Sequence, residues 1–170
     1  MRLEEHQIMV RDTAREFAEN ELKPNAAKWD AHHTFPAEAI AGLGELGFLG
    51  MLVPEEYGGA GAGHLAYALA MEEIAAGDVG TASAMSVNNS LVCAGLVGFG
   101  SEDQKERFLK PLAEGGMLGA FCLTEPHTGS DASALRTRAV LDGNSFVLNG
   151  AKQFITNGAK ADVALVIAVT

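Results

Sequence analysis

The spacing of apolar residues changes abruptly after Gly115 and Gly116. Before that point, apolar side chains recur at three-, four- and seven-residue steps, the period of an amphipathic helix. The first series consists of Leu3, Val10, Ala14, Phe17, Ala18 and Leu22. After that point the sequence breaks into short β-branched and aromatic runs separated by turn dipeptides. The pattern predicts an α+β fold, with an N-terminal α-helical domain at residues 1–115 and an antiparallel β-domain at residues 116–170.

Prolines and capping residues divide the helical part. Pro24 is predicted to end or bend the first helix, because proline lacks an N–H and crowds the preceding turn. Pro36 suits the first turn of a second helix over residues 37–46. Ser101 followed by Gln104 has the sequence of a capping box and is expected to open another helix.

Short runs in the second part have the composition of strands. They span residues 117–124, 136–141, 145–148, 152–156 and 163–169. The dipeptides Asp142-Gly143 and Asn149-Gly150 between them are typical of tight hairpin loops, since such turns need residues that tolerate positive φ. These signals predict an antiparallel sheet.

Composition excludes several classes of protein. The 170 residues are 48% hydrophobic, which is enough for a substantial core. The formal net charge of −10 repels phosphate backbones and anionic lipid surfaces. Cys93 and Cys122 lie in apolar surroundings without a CxxC spacing, which indicates buried free thiols in a reducing compartment. We expect a globular protein that binds neither nucleic acid nor membranes.

One segment raises the membrane question, since residues 79–101 contain no charged side chain and are long enough to span a bilayer. Asn88, Asn89 and several serines make it too polar for hydrocarbon, so a helix buried inside a soluble protein is the better interpretation. The charged N-terminus leads directly into an amphipathic pattern, which is not typical of a secretory signal. We therefore expect a cytoplasmic location.

Two further motifs suggest chemistry that their context does not support. Gly61, Gly63 and Ala66 form a G-x-G-x-x-A sequence, but dinucleotide binding requires a strand that ends at the first glycine. A polar, glycine-rich loop stands there instead. His127 has no second potential ligand at a useful spacing. The sequence therefore predicts neither a Rossmann site nor a metal site.

The stretch FCLTEPHTGSD, residues 121–131, begins like a half-buried strand and ends as a turn rich in hydroxyl and carboxylate groups. A polar loop at the end of a strand is a frequent place for ligand binding, although ordinary turns have the same composition. From the residues alone, a ligand-binding loop and a plain turn both stay open.

The motifs FCLTEPHTGSD, NGAKQFITNG, VPEEYGG and AMSVNNSL together resemble acyl-CoA dehydrogenases, especially the short-chain, butyryl-CoA type. The resemblance covers the whole chain in the family's order. It implies an N-terminal helical domain packed on a β-domain, with FAD and an acyl-CoA thioester held between them. In the family a second helical domain follows, which no part of this sequence matches, so the chain resembles the front portion of such an enzyme.

The resemblance also assigns roles to individual residues. The residues that it places against the flavin are Phe121, Cys122, Leu123, Thr124, Gly129, Ser130, Phe154, Ile155 and Thr156. Thr124 and Thr156 would hydrogen-bond the flavin near its reactive nitrogen. Phe154 would pack on the ring, at a position where many relatives have tryptophan. Ser130 would also contact the thioester substrate.

The implied reaction is α,β-dehydrogenation of a short-chain acyl-CoA, in which a carboxylate removes the α-proton and the β-hydrogen leaves as hydride. The family's base is a Glu of the later helical domain, which no residue here matches, so the set of predicted catalytic residues is empty. Two other hypotheses stay open: a related FAD-dependent oxidase or monooxygenase, and a non-catalytic fragment that binds acyl-CoA or protein. The resemblance further implies electron-transfer flavoprotein as a partner and a homo-oligomer in the full-length protein.

Overall fold

The computed structural model describes residues 2–170, and Met1 lies outside this range. The α-helices of the described range all precede its first strand. They are Glu5–Phe17 (α1), Lys23–His32 (α2), Ala37–Glu45 (α3), Gly63–Gly77 (α4), Val79–Ser86 (α5), Ala94–Phe99 (α6), Glu102–Gln104 (α7) and Lys110–Ala113 (α8). The helix predicted after Pro36 and the capping box of Ser101 with Gln104 are both confirmed.

Widened π turns accompany the prolines inside the helices. Ala18–Leu22 is a π turn between α1 and α2, so the helix continues past Pro24 to His32. A proline ring crowds the carbonyl one turn earlier, and a π turn relieves this crowding by letting the backbone slip by one residue. Lys105–Leu109 has the same form just before Pro111. Pro24 therefore modifies the helix without ending it.

The uncharged stretch forms one helical run, Val79–Phe99, which includes a π turn at Val87–Cys93. Its length and mean hydropathy of 1.3 match those of a membrane span, and 39% of the tested window is buried inside the protein. Asn88 and Asn89 are fully buried and donate to carbonyls of the turn Phe48–Gly50. Their amides are thus satisfied within the fold, as in a helix that belongs to a protein core.

Two apolar clusters hold the fold together. The larger joins α1, α3, α4 and α5, and its centre includes the fully buried Ile74 and Met85. The second is built around Val92, and Phe121 and Val163 from the β-rich part pack against it. The helices therefore provide the surface on which the later strands rest.

The strands are Gly119–Cys122 (β1), Arg138–Asp142 (β2), Ser145–Asn149 (β3) and Val163–Val166 (β4). β2 and β3 form the antiparallel hairpin predicted from Asp142-Gly143, and Gly143 has the positive φ of 60° that such a turn requires. β1 and β4 pair in parallel instead, with Gly119 opposite Val163. The antiparallel prediction is correct only for the hairpin, because the long connection between β1 and β4 brings the chain back in the same direction.

The segment after β3 is irregular, whereas the sequence predicted a strand at residues 152–156. The predicted Asn149-Gly150 hairpin is also wrong, since among the described strands β3 pairs with β2 alone. Gly150 instead packs against Thr137, where a Cβ would lie 2.3 Å from the threonine Oγ1. Phe154 and Asn157 adopt positive φ, which is incompatible with an extended strand. The strand-like composition of this segment is therefore a false signal.

The glycine motif at the start of α4 is a loop before a helix. Gly63 has a left-handed φ of 78°, and in the described part of the chain the first strand is β1, far downstream. The strand-turn-helix geometry of a dinucleotide fold is therefore missing around Gly61 and Gly63. The division into two domains near residue 115 stays a prediction.

Candidate functional site

β1 carries the candidate site, and the helix Val79–Phe99 fixes the position of this strand. Asn88 Oδ1 accepts a hydrogen bond from the amide of Gly119 at 2.9 Å. A Cβ on Gly119 would lie 2.8 Å from the Val92 side chain, so the strand approaches the helix as closely as only glycine allows. The strand then leads directly into the polar loop.

The two parts of the predicted flavin site meet side by side. The amide of Gln153 donates to the carbonyl of Thr124 at 2.9 Å. Nζ of Lys152 donates to the carbonyl of Leu123 at 2.8 Å. These contacts hold the start of the segment 152–156 beside the end of β1, so residues distant in sequence become neighbours.

Glu125 is buried and connects these two parts through hydrogen bonds. Only 3% of it is exposed, and its carboxylate accepts hydrogen bonds from the amides of Arg136 at 2.7 Å and Thr137 at 2.9 Å, and from Lys152 Nζ at 2.8 Å. Burial alone would raise the pKa of Glu125, but these hydrogen bonds, led by that of Lys152, outweigh burial and hold the pKa well below its usual range. An ionised carboxylate with this many donors is a weak base, so Glu125 shapes the loop instead.

Phe154 combines two departures from ordinary folding rules. It is 84% exposed, and its φ is 57°. A left-handed backbone is unfavourable for a bulky residue, and packing of this exposed ring does little to offset that cost. Backbone outliers of this kind cluster at functional sites. Ile155 and Thr156 beside it are partly exposed.

Several hydrogen-bond donors on this surface have no acceptor among residues 2–170. They include the amides of Thr124 and Thr156 and the hydroxyl of Ser130. A flavin ring is apolar on its faces and polar along its edge, and proteins tune it through hydrogen bonds to its ring nitrogens. An exposed aromatic side chain beside unpaired donors matches this chemistry, so the residues present fit the cofactor that the resemblance implies.

Internal hydrogen bonds fix the loop that follows β1. The hydroxyl of Thr128 donates to the carbonyl of Asp131 at 2.5 Å, and Nε2 of His127 lies 3.0 Å from the carbonyl of Ala134. His127 thus links the start of the loop to Ala134. Ser130 takes no part in these contacts, and it is exposed.

The cysteines differ in their surroundings. Cys93 is fully buried, and burial raises the pKa of its thiol to about 12. Cys122 in β1 is only half-buried, so the prediction of two buried thiols is correct for Cys93 alone. Within the described residues, no three His, Cys, Asp or Glu side chains are grouped closely enough to hold a metal ion.

An apolar cleft of 690 Å³ opens beside β1. One wall comes from the helix at residues 90–99, where Phe99 is 94% exposed. The other wall is formed by Phe121, Leu165 and Ile167. The sequence predicted a functional role for Phe121 but not for the other two, because their position depends on the parallel pairing of β4 with β1.

Comparison with known proteins decides the family. Residues 4–116 match the family described as acyl-CoA dehydrogenase, N-terminal domain, and residues 120–170 match acyl-CoA dehydrogenase, middle domain. The chain belongs to the acyl-CoA dehydrogenase family. The resemblance carried by the sequence motifs is thereby confirmed.

Three relatives show how far the similarity to acyl-CoA dehydrogenases extends. Human mitochondrial short-chain specific acyl-CoA dehydrogenase is 50% identical over 98% of this chain and 40% of its own length. Butyryl-CoA dehydrogenase from Megasphaera elsdenii is 41% identical, with a TM-score of 0.93 over 100% of this chain and 45% of its own. Glutaryl-CoA dehydrogenase from Mycobacterium smegmatis in complex with FADH2 is 43% identical, with a TM-score of 0.93 over 98% of this chain and 43% of its own.

The chain thus spans less than half the length of these acyl-CoA dehydrogenase relatives. Its helical part followed by a small β region has the fold of the family. The roles assigned to individual site residues stay predictions, and the structure shows only that Lys152 and Gln153 contact residues 123 and 124 after β1.

Proposed function

We propose that the protein takes part in FAD-dependent α,β-dehydrogenation of a short-chain acyl-CoA thioester, and that this chain supplies the flavin- and thioester-binding part. The observation that carries the proposal is the contact of residues 152–156 with the end of β1, which places the exposed Phe154 near the unpaired donors of Thr124 and Thr156. Family membership supports it, since the relatives compared above are acyl-CoA dehydrogenases.

The residues proposed to hold FAD surround this contact. The ring of Phe154 packs on the flavin face, while Thr124 and Thr156 donate to the flavin edge. Phenylalanine has no polar hydrogen, so position 154 acts through packing alone. When bound, FAD supplies the acceptor for the hydride that leaves the β-carbon. The further proposed contacts are Phe121, Cys122, Leu123, Gly129, Ser130 and Ile155.

The apolar cleft beside β1 is the proposed place for the acyl group. Its volume of 690 Å³ falls within the range of small-molecule sites, and its lining carries no charged side chain. It borders Phe121, one of the proposed flavin contacts. Ser130 provides the proposed polar contact to the thioester, because its hydroxyl is exposed beside the same strand end.

The proposed reaction also needs a base for the α-proton. Glu125 is unsuited to this role, since Lys152 and two backbone amides stabilise its ionised form. The resemblance assigns the role to a Glu that no residue of this sequence matches. We therefore assign binding and orientation, and no proton transfer, to residues 1–170.

The proposal extends to partners and location. The full-length protein is proposed to be a cytoplasmic homo-oligomer that passes electrons to an electron-transfer flavoprotein. The net charge of −10 supports a protein that avoids nucleic acid and anionic membrane surfaces.

Two separate readouts test the proposal. Incubation of this chain with FAD and removal of free cofactor should leave a yellow protein. Butyryl-CoA added without oxygen should bleach the bound flavin only when a protein segment that carries the Glu base is also present. Re-oxidation of the reduced flavin by air at a fast rate would instead support an oxidase. Flavin uptake without bleaching in the presence of the Glu-bearing segment would support the non-catalytic hypothesis, and a colourless protein would overturn the flavin proposal itself.

A further inference from the structure

The segment Lys152 to Asn157 lies along β1 without belonging to the sheet, and buried side chains tie down both of its ends. At the first end, the Lys152 side chain is only 11% exposed and the Glu125 side chain only 2%. Lys152 Nζ bonds both the Glu125 carboxylate and the carbonyl of Leu123, each at 2.8 Å. The Lys152 ammonium group thus links this segment to the end of β1 and to Glu125.

At the second end, Asn157 is 8% exposed and reaches two other elements. Its Nδ2 donates to the carbonyl of Gly119 in β1 at 3.0 Å and to the carbonyl of Ala84 in α5 at 3.4 Å. Asn157 also has a left-handed φ of 66°, a conformation that asparagine tolerates better than most residues. The segment is therefore connected to both the strand and the helical part.

Between these two attachments lies Phe154, whose φ of 57° is unfavourable for a bulky side chain. Its side chain gains little from packing within the protein, since 84% of it is exposed. A conformation of this kind persists only where the surrounding structure over-determines it. The attachments at Lys152 and Asn157 are the side-chain contacts that can do so, beside the backbone bond from Gln153 to Thr124.

We propose that Lys152 and Asn157 are positioning residues that hold Phe154 and Thr156 in a preformed flavin-binding conformation. This inference rests on the proposed flavin site. Neither residue needs to touch the flavin, because each affects flavin binding through the backbone of residues 153–156. Ordering this segment before the cofactor arrives lowers the entropic cost of binding, so loss of either attachment weakens FAD affinity.

Lys152→Met and Asn157→Gly test the proposal. Methionine keeps the length of the lysine side chain without its donors, and glycine keeps the positive φ of Asn157 without its amide. Matched controls are Lys160→Met and Asn20→Ala, because both side chains are exposed. FAD affinity, measured by flavin fluorescence well below the melting temperature, should fall about tenfold in both test variants and stay unchanged in both controls.

The shape of the bound-flavin absorption and its induced circular dichroism should also change in the test variants, which a loss of stability alone would not cause. Lys152→Arg retains a cation with several donors and should recover at least part of the affinity. If the folded Asn157→Gly variant binds FAD within about twofold of wild type and with the same spectrum, the proposal is wrong, whatever happens in Lys152→Met.

A third readout does not depend on the cofactor. Chymotrypsin cleaves after exposed phenylalanines, and cleavage after Phe154 should be faster in both test variants, relative to cleavage after Phe146 in the β2–β3 hairpin of the same molecule. Equal cleavage ratios in wild type and variants would overturn the inference. Absence of FAD uptake by the wild type, with faster cleavage in the variants, would refute the flavin proposal and leave the attachment of this segment intact.

Discussion

Asn88 ties three distant parts of the chain together, and its replacement should be among the most damaging single changes. Its Nδ2 donates to the carbonyl of Leu49 at 2.9 Å and to that of Leu112 at 3.2 Å, while its Oδ1 accepts from the amide of Gly119 at 2.9 Å. The side chain is 0% exposed, so water cannot replace these contacts. Two partners lie in helical segments, and the third begins the strand of the candidate site.

Asn88→Ala leaves these backbone groups buried without partners. An orphaned buried polar group costs about 1–3 kcal/mol, and part of that cost is recovered where the structure relaxes, so the lost bonds together amount to about 3 kcal/mol. The small cavity left by the amide adds about 1 kcal/mol. We therefore expect the free energy of unfolding to fall by about 4 kcal/mol, a large share of the roughly 5–15 kcal/mol of an ordinary protein.

Urea unfolding followed by circular dichroism measures this change, with the slope m checked for equality between variants. Asn88→Leu fills the cavity but leaves the same groups unpaired, so it should recover only about 1 kcal/mol. Asn20→Ala is the matched control, because Asn20 is exposed, and its effect should stay within about 0.5 kcal/mol. A loss below about 1 kcal/mol in Asn88→Ala would show that these bonds contribute little and would refute the reasoning.

Further predictions concern pH, thiols and the exposed aromatic residue. Because the pKa of Glu125 is lowered in the folded protein, the ionised side chain stabilises the fold above the unfolded pKa of about 4.3, and this stabilisation is lost as the pH falls further. The urea midpoint of Glu125→Gln should therefore fall less steeply below pH 4.3 than that of wild type. At pH 8, iodoacetamide should label the half-buried Cys122 slowly in the native protein, since burial raises the pKa of its thiol too, whereas labelling of Cys93, whose pKa is about 12, should require urea. Phe154→Gly should melt no lower than wild type, since it removes an exposed side chain from a left-handed backbone, yet bind FAD more weakly.

The helical part could be predicted from local signals because its determinants are local. The apolar stripe of α1 and the capping box at Ser101 depend on neighbours within one or two turns, and both are confirmed. Pro24 shows where local rules leave the outcome open, since they allow a proline either to end or to bend a helix. The packing of Ala18 and Leu22 in the core favours a continuous helix, and the backbone accommodates the proline by a π turn instead of ending.

The β-rich part depends on contacts between residues far apart in sequence, which periodicity cannot reveal. The hairpin of β2 and β3 was predictable because Gly143 marks a local turn, whereas the parallel pairing of β1 with β4 has no local signal. At the candidate site, the composition of the loop suggested a ligand, and the resemblance supplied the individual residues. The link of Lys152 to Glu125 could not be predicted, since a lysine and a glutamate at this separation occur by chance in any sequence.

Several departures from ordinary folding rules coincide in one short segment, although Phe99 is also exposed, His33 also has a positive φ and Thr137 Oγ1 is also buried without a partner. Elsewhere buried amides such as Asn88 and Asn89 are paired, and α3 ends in the normal way at a glycine with positive φ. Around residues 154–157, by contrast, a phenylalanine is exposed on a left-handed backbone, and Oδ1 of the buried Asn157 has no partner. Local rules in natural proteins are broken chiefly where function requires it. Because this segment also faces the unpaired donors at the end of β1, the broken rules favour a cofactor site here over a plain turn.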